Sequence, residues 1–178
     1  IDIVEERTSF IRFRLTVNCR NTKQICDEIE TVTGFKSSDD IWNKVDGIPV
    51  NYMSCSSDEE ACDKLEGVLS GLRSNHIPNE KITILSPRRK ENSIVGMLRN
   101  STIQDYSISC KNRVTFCTIQ GFKGLENSVI ILTDIDNYSS SQLMYVALSR
   151  ARTALYVIES DKARKEYLNL ARRRFING

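Results

Sequence analysis

Val114-Thr-Phe-Cys-Thr-Ile-Gln-Gly-Phe-Lys-Gly-Leu-Glu-Asn-Ser-Val-Ile-Ile-Leu132 is the stretch that decides the fold. Two runs of β-branched, aromatic and aliphatic residues flank a short segment holding two glycines, a lysine and a glutamate. The second run, Val129 to Leu132, contains no polar residue, as expected of a strand buried on both faces of a largely parallel sheet. Ligands of such sheets collect beyond the carboxyl ends of the strands, and Thr118 to Glu126 is expected at one of those ends. Gly121 and Gly124 permit backbone conformations or close approaches that a side chain would block. Lys123 and Glu126 put opposite charges into one turn. Taken alone, the segment could equally be an ordinary solvated loop.

Upstream, Phe10 to Val17 alternates apolar and polar residues, the pattern of a half-covered strand. It runs into the corner Asn18-Cys-Arg-Asn21 and then a helix with Ile25, Ile29 and Val32 on one face. Asn21 with Gln24 reads as a capping pair and Gly34 as the stop. Pro49 to Met53 reads as a short strand. Ser57 with Glu60 forms a capping box ahead of the stripe Ala61, Leu65, Val68, Leu69 and Leu72. Lys81 to Leu85 is the next strand, followed by the basic turn Arg88-Arg89-Lys90 and a short helix with Ile94, Val95 and Leu98. Asn100 to Arg113 reads as a polar connection. Downstream, one of Ser139, Ser140 and Ser141 caps a helix carrying Leu143, Val146, Ala147 and Arg150. The strand Ala154 to Ile158 follows, and Ser160 or Asp161 opens a final basic helix. Strands and helices alternate throughout, which predicts an α/β three-layer sandwich with a mostly parallel central sheet. No second domain or repeat is legible, so residues 1–178 read as one domain with 1–9 as a lead-in.

The chain of 178 residues is 40% hydrophobic and 27% charged, ordinary for a globular protein with a buried core. Its net charge of +2 is too small to argue for nucleic acid by itself. No apolar run approaches the roughly 20 residues of a membrane span. The six cysteines fall in three pairs, Cys19/Cys26, Cys55/Cys62 and Cys110/Cys117, without the Cys-x-x-Cys spacing of zinc sites. His76, the single histidine, has no ligand-type neighbour. Reduced thiols in an intracellular, cytoplasmic protein, and no metal site, are therefore expected.

Three stretches, in order, resemble motifs of superfamily 1 helicases. Leu15-Thr-Val-Asn-Cys-Arg-Asn-Thr-Lys-Gln-Ile25 resembles motif IV. The stretch centred on Thr118-Ile-Gln-Gly-Phe-Lys-Gly-Leu-Glu126 resembles motif V, and Leu143-Met-Tyr-Val-Ala-Leu-Ser-Arg-Ala-Arg152 resembles motif VI. Together they span most of the chain and look like the C-terminal RecA-like domain of a UvrD/Rep-type helicase, a P-loop NTPase fold without its own P-loop. The resemblance implies that Arg20 and Arg150 reach the γ-phosphate of ATP. It implies that Glu126 hydrogen-bonds the ribose, and that Gly124 lets the backbone approach the nucleotide. Thr118 and Gln120 match positions facing single-stranded nucleic acid, DNA ahead of RNA. Cys19, Gln120 and Ser149 depart from the aromatic residue, histidine and threonine common in the family. The bulky helical insertion of larger relatives has no counterpart in Asn100 to Arg113.

No Gly-x-x-x-x-Gly-Lys-Ser/Thr occurs, and no acidic motif is placed to hold magnesium. ATP and Mg2+ are therefore expected to be held mainly by an N-terminal RecA-like domain, and the isolated chain is expected to be inactive. Three functions compete: a motor domain, a non-catalytic nucleic-acid- or protein-binding module of the same fold, and an unrelated α/β enzyme. On the residues alone, Arg20 could pair with a surface acid, Arg150 with Asp134 or Glu159, and Glu126 could cap a turn.

Overall fold

Val129 to Leu132 lies at the heart of a sheet, as its unbroken apolar run requires. The computed structural model describes residues 20–35, 46–98, 102–107 and 112–177. The expected lead-in 1–9 and strand Phe10 to Val17 lie outside them, as do Cys19 and Cys110.

In chain order the elements are α1 (Lys23–Thr33), β1 (Asn51–Cys55), α2 (Asp58–Ser74), β2 (Ile82–Ser86), α3 (Ile94–Met97) and β3 (Gln104–Asp105). They continue with β4 (Thr115–Thr118), β5 (Asn127–Ile135), α4 (Ser141–Leu148), β6 (Ala151–Ser160) and α5 (Asp161–Asn177). The six strands form one sheet in the order β1-β6-β5-β2-β4-β3, with every pair parallel. All their carboxyl ends therefore lie along one edge and all their amino ends along the other.

The two faces of β5 show why the run tolerates no polar residue. Ile130 and Leu132 pack with Ile25, Ile29 and Val32 of α1 and with Ala147 and Leu148 of α4. Val129 and Ile131 point the other way, against Leu65, Leu69 and Leu72 of α2 and Ile94 and Val95 of α3. Each fully buried residue of this kind contributes about 1.5–3 kcal/mol, and two such layers close a three-layer sandwich.

Local signals place the helix ends. Ser57 Oγ accepts from the Glu60 amide and Ser140 Oγ from the Leu143 amide. Gly34 ends α1 at φ 71°, its N–H bonding the Glu30 carbonyl. Three expectations are corrected. Asn21 does not cap α1: Thr22 occupies the cap position without a side-chain bond, and Gln24 Oε1 accepts from the Gly47 amide instead. The polar connection contains a two-residue edge strand, Gln104–Asp105, paired with Thr115 and Phe116. The segment Thr118 to Glu126 does not sit at one end of the sheet, because β4 and β5 are parallel and are separated by β2. The chain leaves β4 at its carboxyl end and must cross the sheet to enter β5 at its amino end.

Candidate functional site

That crossing splits the predicted site residues into two groups. Thr118 closes β4 opposite Ser86, at the carboxyl edge. Gln120 follows it in the turn and is exposed. Gly124 and Glu126 come at the far end of the crossing, at the amino edge, just before Asn127 opens β5.

Arg150 and Arg20 join the second group. The Asn127 amide donates to the Arg150 carbonyl (3.1 Å), so the starts of β5 and β6 are laced together where Glu126 and Arg150 stand. Asn21 carries the corner before α1 to the same place. Buried to 2%, its Nδ2 donates to the carbonyls of Ser149 (3.3 Å) and Ala151 (2.6 Å), on either side of Arg150. Arg20, its neighbour, places Nε 2.6 Å from Glu126 Oε2. Arg152 Nε approaches the other oxygen, Oε1, at 3.6 Å. Three segments far apart in sequence thus bring three guanidiniums and one carboxylate to one edge of the sheet.

The guanidiniums differ in kind. Arg20 and Arg152 are open to solvent, with side chains 46% and 59% exposed. Arg150 is only 8% exposed. Its Nε donates to the Val146 carbonyl (2.9 Å), Nη1 to the Leu125 carbonyl (3.0 Å) and Nη2 to Ser149 Oγ (2.8 Å). All three partners are neutral, and no ion pair to Arg150 occurs among the described residues. Burial, with help from the nearby Arg20 charge, holds its pKa below the usual arginine value. A buried cation of this sort has unmet attraction for an anion arriving from outside. Arg150 pairs with neither Asp134 nor Glu159. Asp134 belongs to the opposite edge, and Glu159 accepts from Tyr138 and Arg164.

Gly124 takes φ 88°, a left-handed conformation, and an added Cβ would meet no atom within 4 Å. The glycine is therefore required by the backbone turn into Leu125, whose carbonyl holds Arg150. Gly121 is needed for space: a Cβ there would lie 2.9 Å from Thr118 Oγ1, the atom that accepts from the Gly121 amide.

The carboxyl edge has its own fixed point. The chain leaves β2 toward α3 on one face and β5 toward α4 on the other, so the ends of β2 and β5 flank a topological switch point. Arg88, Asp134, Asp136 and Ser140 line a cavity of about 240 Å³ there. The Asp134 side chain is inaccessible, and its backbone sits at φ 58°. Its carboxylate accepts from Ser86 Oγ and Ser93 Oγ (both 2.6 Å), Thr133 Oγ1 (2.9 Å) and the Ile94 amide (3.0 Å). Arg88 bonds Asp136 alongside.

Residues 113–158 match the model of the UvrD-like helicase C-terminal domain family. Over those residues the chain is similar to that family. The matched stretch runs through the crossing, β5, α4 and β6 and contains Thr118, Gln120, Gly124, Glu126 and Arg150. Among solved structures, the C-terminal domain of a possible DNA helicase from Lactobacillus plantarum WCFS1 superposes with a TM-score of 0.64. The alignment covers 85% of this chain and 95% of that one at 19% identity, a likeness of fold. No curated protein matches the chain. The UvrD-like signature and the parallel sheet agree on a RecA-like fold. Among the described residues, no helix is long and apolar enough to cross a membrane, and no group of His, Cys, Asp and Glu could hold a metal ion.

The sequence reading missed two members of the amino-edge cluster, Asn21 and Arg152. Arg152 carried a signal, because it closes the motif VI-like stretch two residues after Arg150. Asn21 carried none, since its partners lie 128 and 130 residues away.

Proposed function

We propose that this chain is the C-terminal motor domain of an ATP-dependent helicase or translocase acting on single-stranded nucleic acid, with DNA preferred to RNA. Its amino edge forms half of a nucleotide site. Arg20 and Arg150 meet the γ-phosphate, Glu126 accepts from the ribose, and Gly124 lets the backbone come close. The other half, with the phosphate-binding loop and Mg2+, belongs to an N-terminal RecA-like domain. Phosphoryl transfer needs little covalent help and much charge stabilisation, so arginines aimed at the triphosphate supply what the chemistry demands. Thr118 and Gln120, on the opposite edge near the basic turn Arg88 to Lys90, would contact the strand. Contact there should weaken with salt as counterions are retained.

The observation that supports this most is Arg150 itself: a buried guanidinium held by neutral acceptors beside two further arginines. A module that only binds protein or nucleic acid would have no use for it. The test is ATP turnover. The purified chain alone should hydrolyse ATP negligibly, and in the two-domain protein Arg150→Ala or Arg20→Ala should lower stimulated turnover by about 10³-fold or more. Robust turnover by the isolated chain, or a two-domain protein indifferent to Arg150→Ala, would reject the proposal in favour of a binding module.

A further inference from the structure

Glu126 faces two arginines, and the two contacts are unequal. Oε2 is closed on Arg20 Nε at 2.6 Å, whereas Oε1 stands 3.6 Å from Arg152 Nε. The nucleotide-edge reading needs Arg20 and Glu126 to face a ligand, yet here they face each other. Arg20 Nε must therefore leave Glu126 before the guanidinium can grip a phosphate side-on, through Nε and Nη together. That would leave a bare carboxylate beside an incoming polyanion, which is repulsive unless another cation takes it.

Arg152 is placed to do so. Residues 127 and 151 are paired across β5 and β6, so Glu126, just before β5, and Arg152, the second residue of β6, flank that pair, while Arg20 reaches in from the corner before α1. All three side chains are solvated, 46%, 36% and 59% exposed for Arg20, Glu126 and Arg152. Ion pairs this open contribute little, so the preference for Arg20 is small and a multivalent anion can shift the balance toward Arg152. We propose that Glu126 exchanges partners, passing from Arg20 to Arg152 when an anion occupies the edge. Arg152 is then a positioning residue that decides whether Arg20 is available. This rests on the nucleotide-edge reading and assigns that site an internal switch.

Side-chain Nε–Hε spectra of the purified chain read the exchange directly. In the wild type, Arg20 Hε should be protected from water and Arg152 Hε should not. In Arg20→Gln, Arg152 Hε should become protected as it closes on Glu126, and in Glu126→Gln Arg152 Hε should stay unprotected while Arg20 Hε loses part of its wild-type protection. Titrating inorganic tripolyphosphate into the wild type should move the Arg20 signal and protect Arg152 together. By calorimetry, Arg152→Gln should weaken tripolyphosphate binding by at least about threefold in the wild type, and have little effect in Glu126→Gln. An Arg152 signal unchanged in Arg20→Gln overturns the exchange whatever the chain binds. Equal weakening in both backgrounds makes Arg152 a direct ligand contact and overturns its positioning role. If Arg20→Gln protects Arg152 but tripolyphosphate moves no signal, even in Glu126→Gln, the nucleotide-edge reading falls and anion-driven exchange falls with it. The side chains are exposed, so unchanged backbone spectra will show that each variant is folded.

Discussion

Replacing Arg150 separates a residue kept for function from one kept for folding. Taking a guanidinium out of water costs several kcal/mol even after the surroundings relax. Its three bonds, to Val146, Leu125 and Ser149, are charge-assisted. At about 1.5–3 kcal/mol each they offset most of that cost and add little beyond it. Arg150→Met gives up both terms and gains apolar burial of about 1.5–3 kcal/mol. It also leaves the Leu125 carbonyl without this donor, at about 1–3 kcal/mol. The sum lies within about 2 kcal/mol of zero, a melting shift of no more than roughly 4–8 °C for a chain of this length. Arg150→Lys should be worse than Arg150→Met, because a compact ammonium keeps the buried charge and cannot span three divergent acceptors. Urea denaturation followed by circular dichroism measures both, with Leu65→Ala as a yardstick. Leu65 is fully buried, and its truncation should cost about 2–5 kcal/mol. If Arg150→Met costs more than about 4 kcal/mol, or if lysine is the better replacement, the guanidinium is a structural keystone and the reasoning fails.

Other expectations follow from single sites. Asp134→Ala strands buried donors of about 1–3 kcal/mol each and places a Cβ-bearing, non-polar residue at φ 58°, so a loss of about 3–5 kcal/mol is expected by urea denaturation. Asp134→Asn, which tolerates that backbone and keeps an acceptor, should lose about 1–2 kcal/mol. Gly124→Ala meets no neighbour, so its cost is the left-handed backbone alone, about 1–2 kcal/mol. Burial raises the pKa of both Glu28 and Glu159 above 4.5. The folded state then holds more protons than the unfolded one between the two values. Their contribution is therefore complete below pH 4.5 and is lost as pH climbs through the raised folded values. Glu159→Gln should flatten the fall of the urea midpoint across that window, and an unchanged slope would refute the assignment.

The fold was legible wherever a pattern was local and repeated. The apolar run Val129 to Leu132, the stripes of α1 and α2, the stop at Gly34 and the caps Ser57 and Ser140 all rest on partners a few residues away. Edge strand β3 is two residues long, too short for any periodicity to register. Asn21 misled because a capping sequence and a long-range amide look alike until residues 149 and 151 arrive beside it. The split of Thr118 from Glu126 was recoverable: two consecutive parallel strands always need a connection that crosses the sheet. Arg20, Gly124, Glu126 and Arg150 were picked out by family resemblance, and spacing alone could not have told Arg150 from a surface arginine. Their meeting at one edge depends on the strand order, in which β6 and β5 are neighbours although α4 separates them in sequence.

The central claim is that the amino edge of the sheet meets the nucleotide. Backbone amide spectra of the isolated chain titrated with millimolar MgATP test it, since even weak binding shifts the resonances it touches. The account predicts shifts gathered at Arg20, Gly124 to Glu126 and Arg150 to Arg152, lost in Arg150→Met. Shifts gathered instead at Ser86 to Lys90 and Asp134 to Ser140, or the same pattern surviving Arg150→Met, would contradict it.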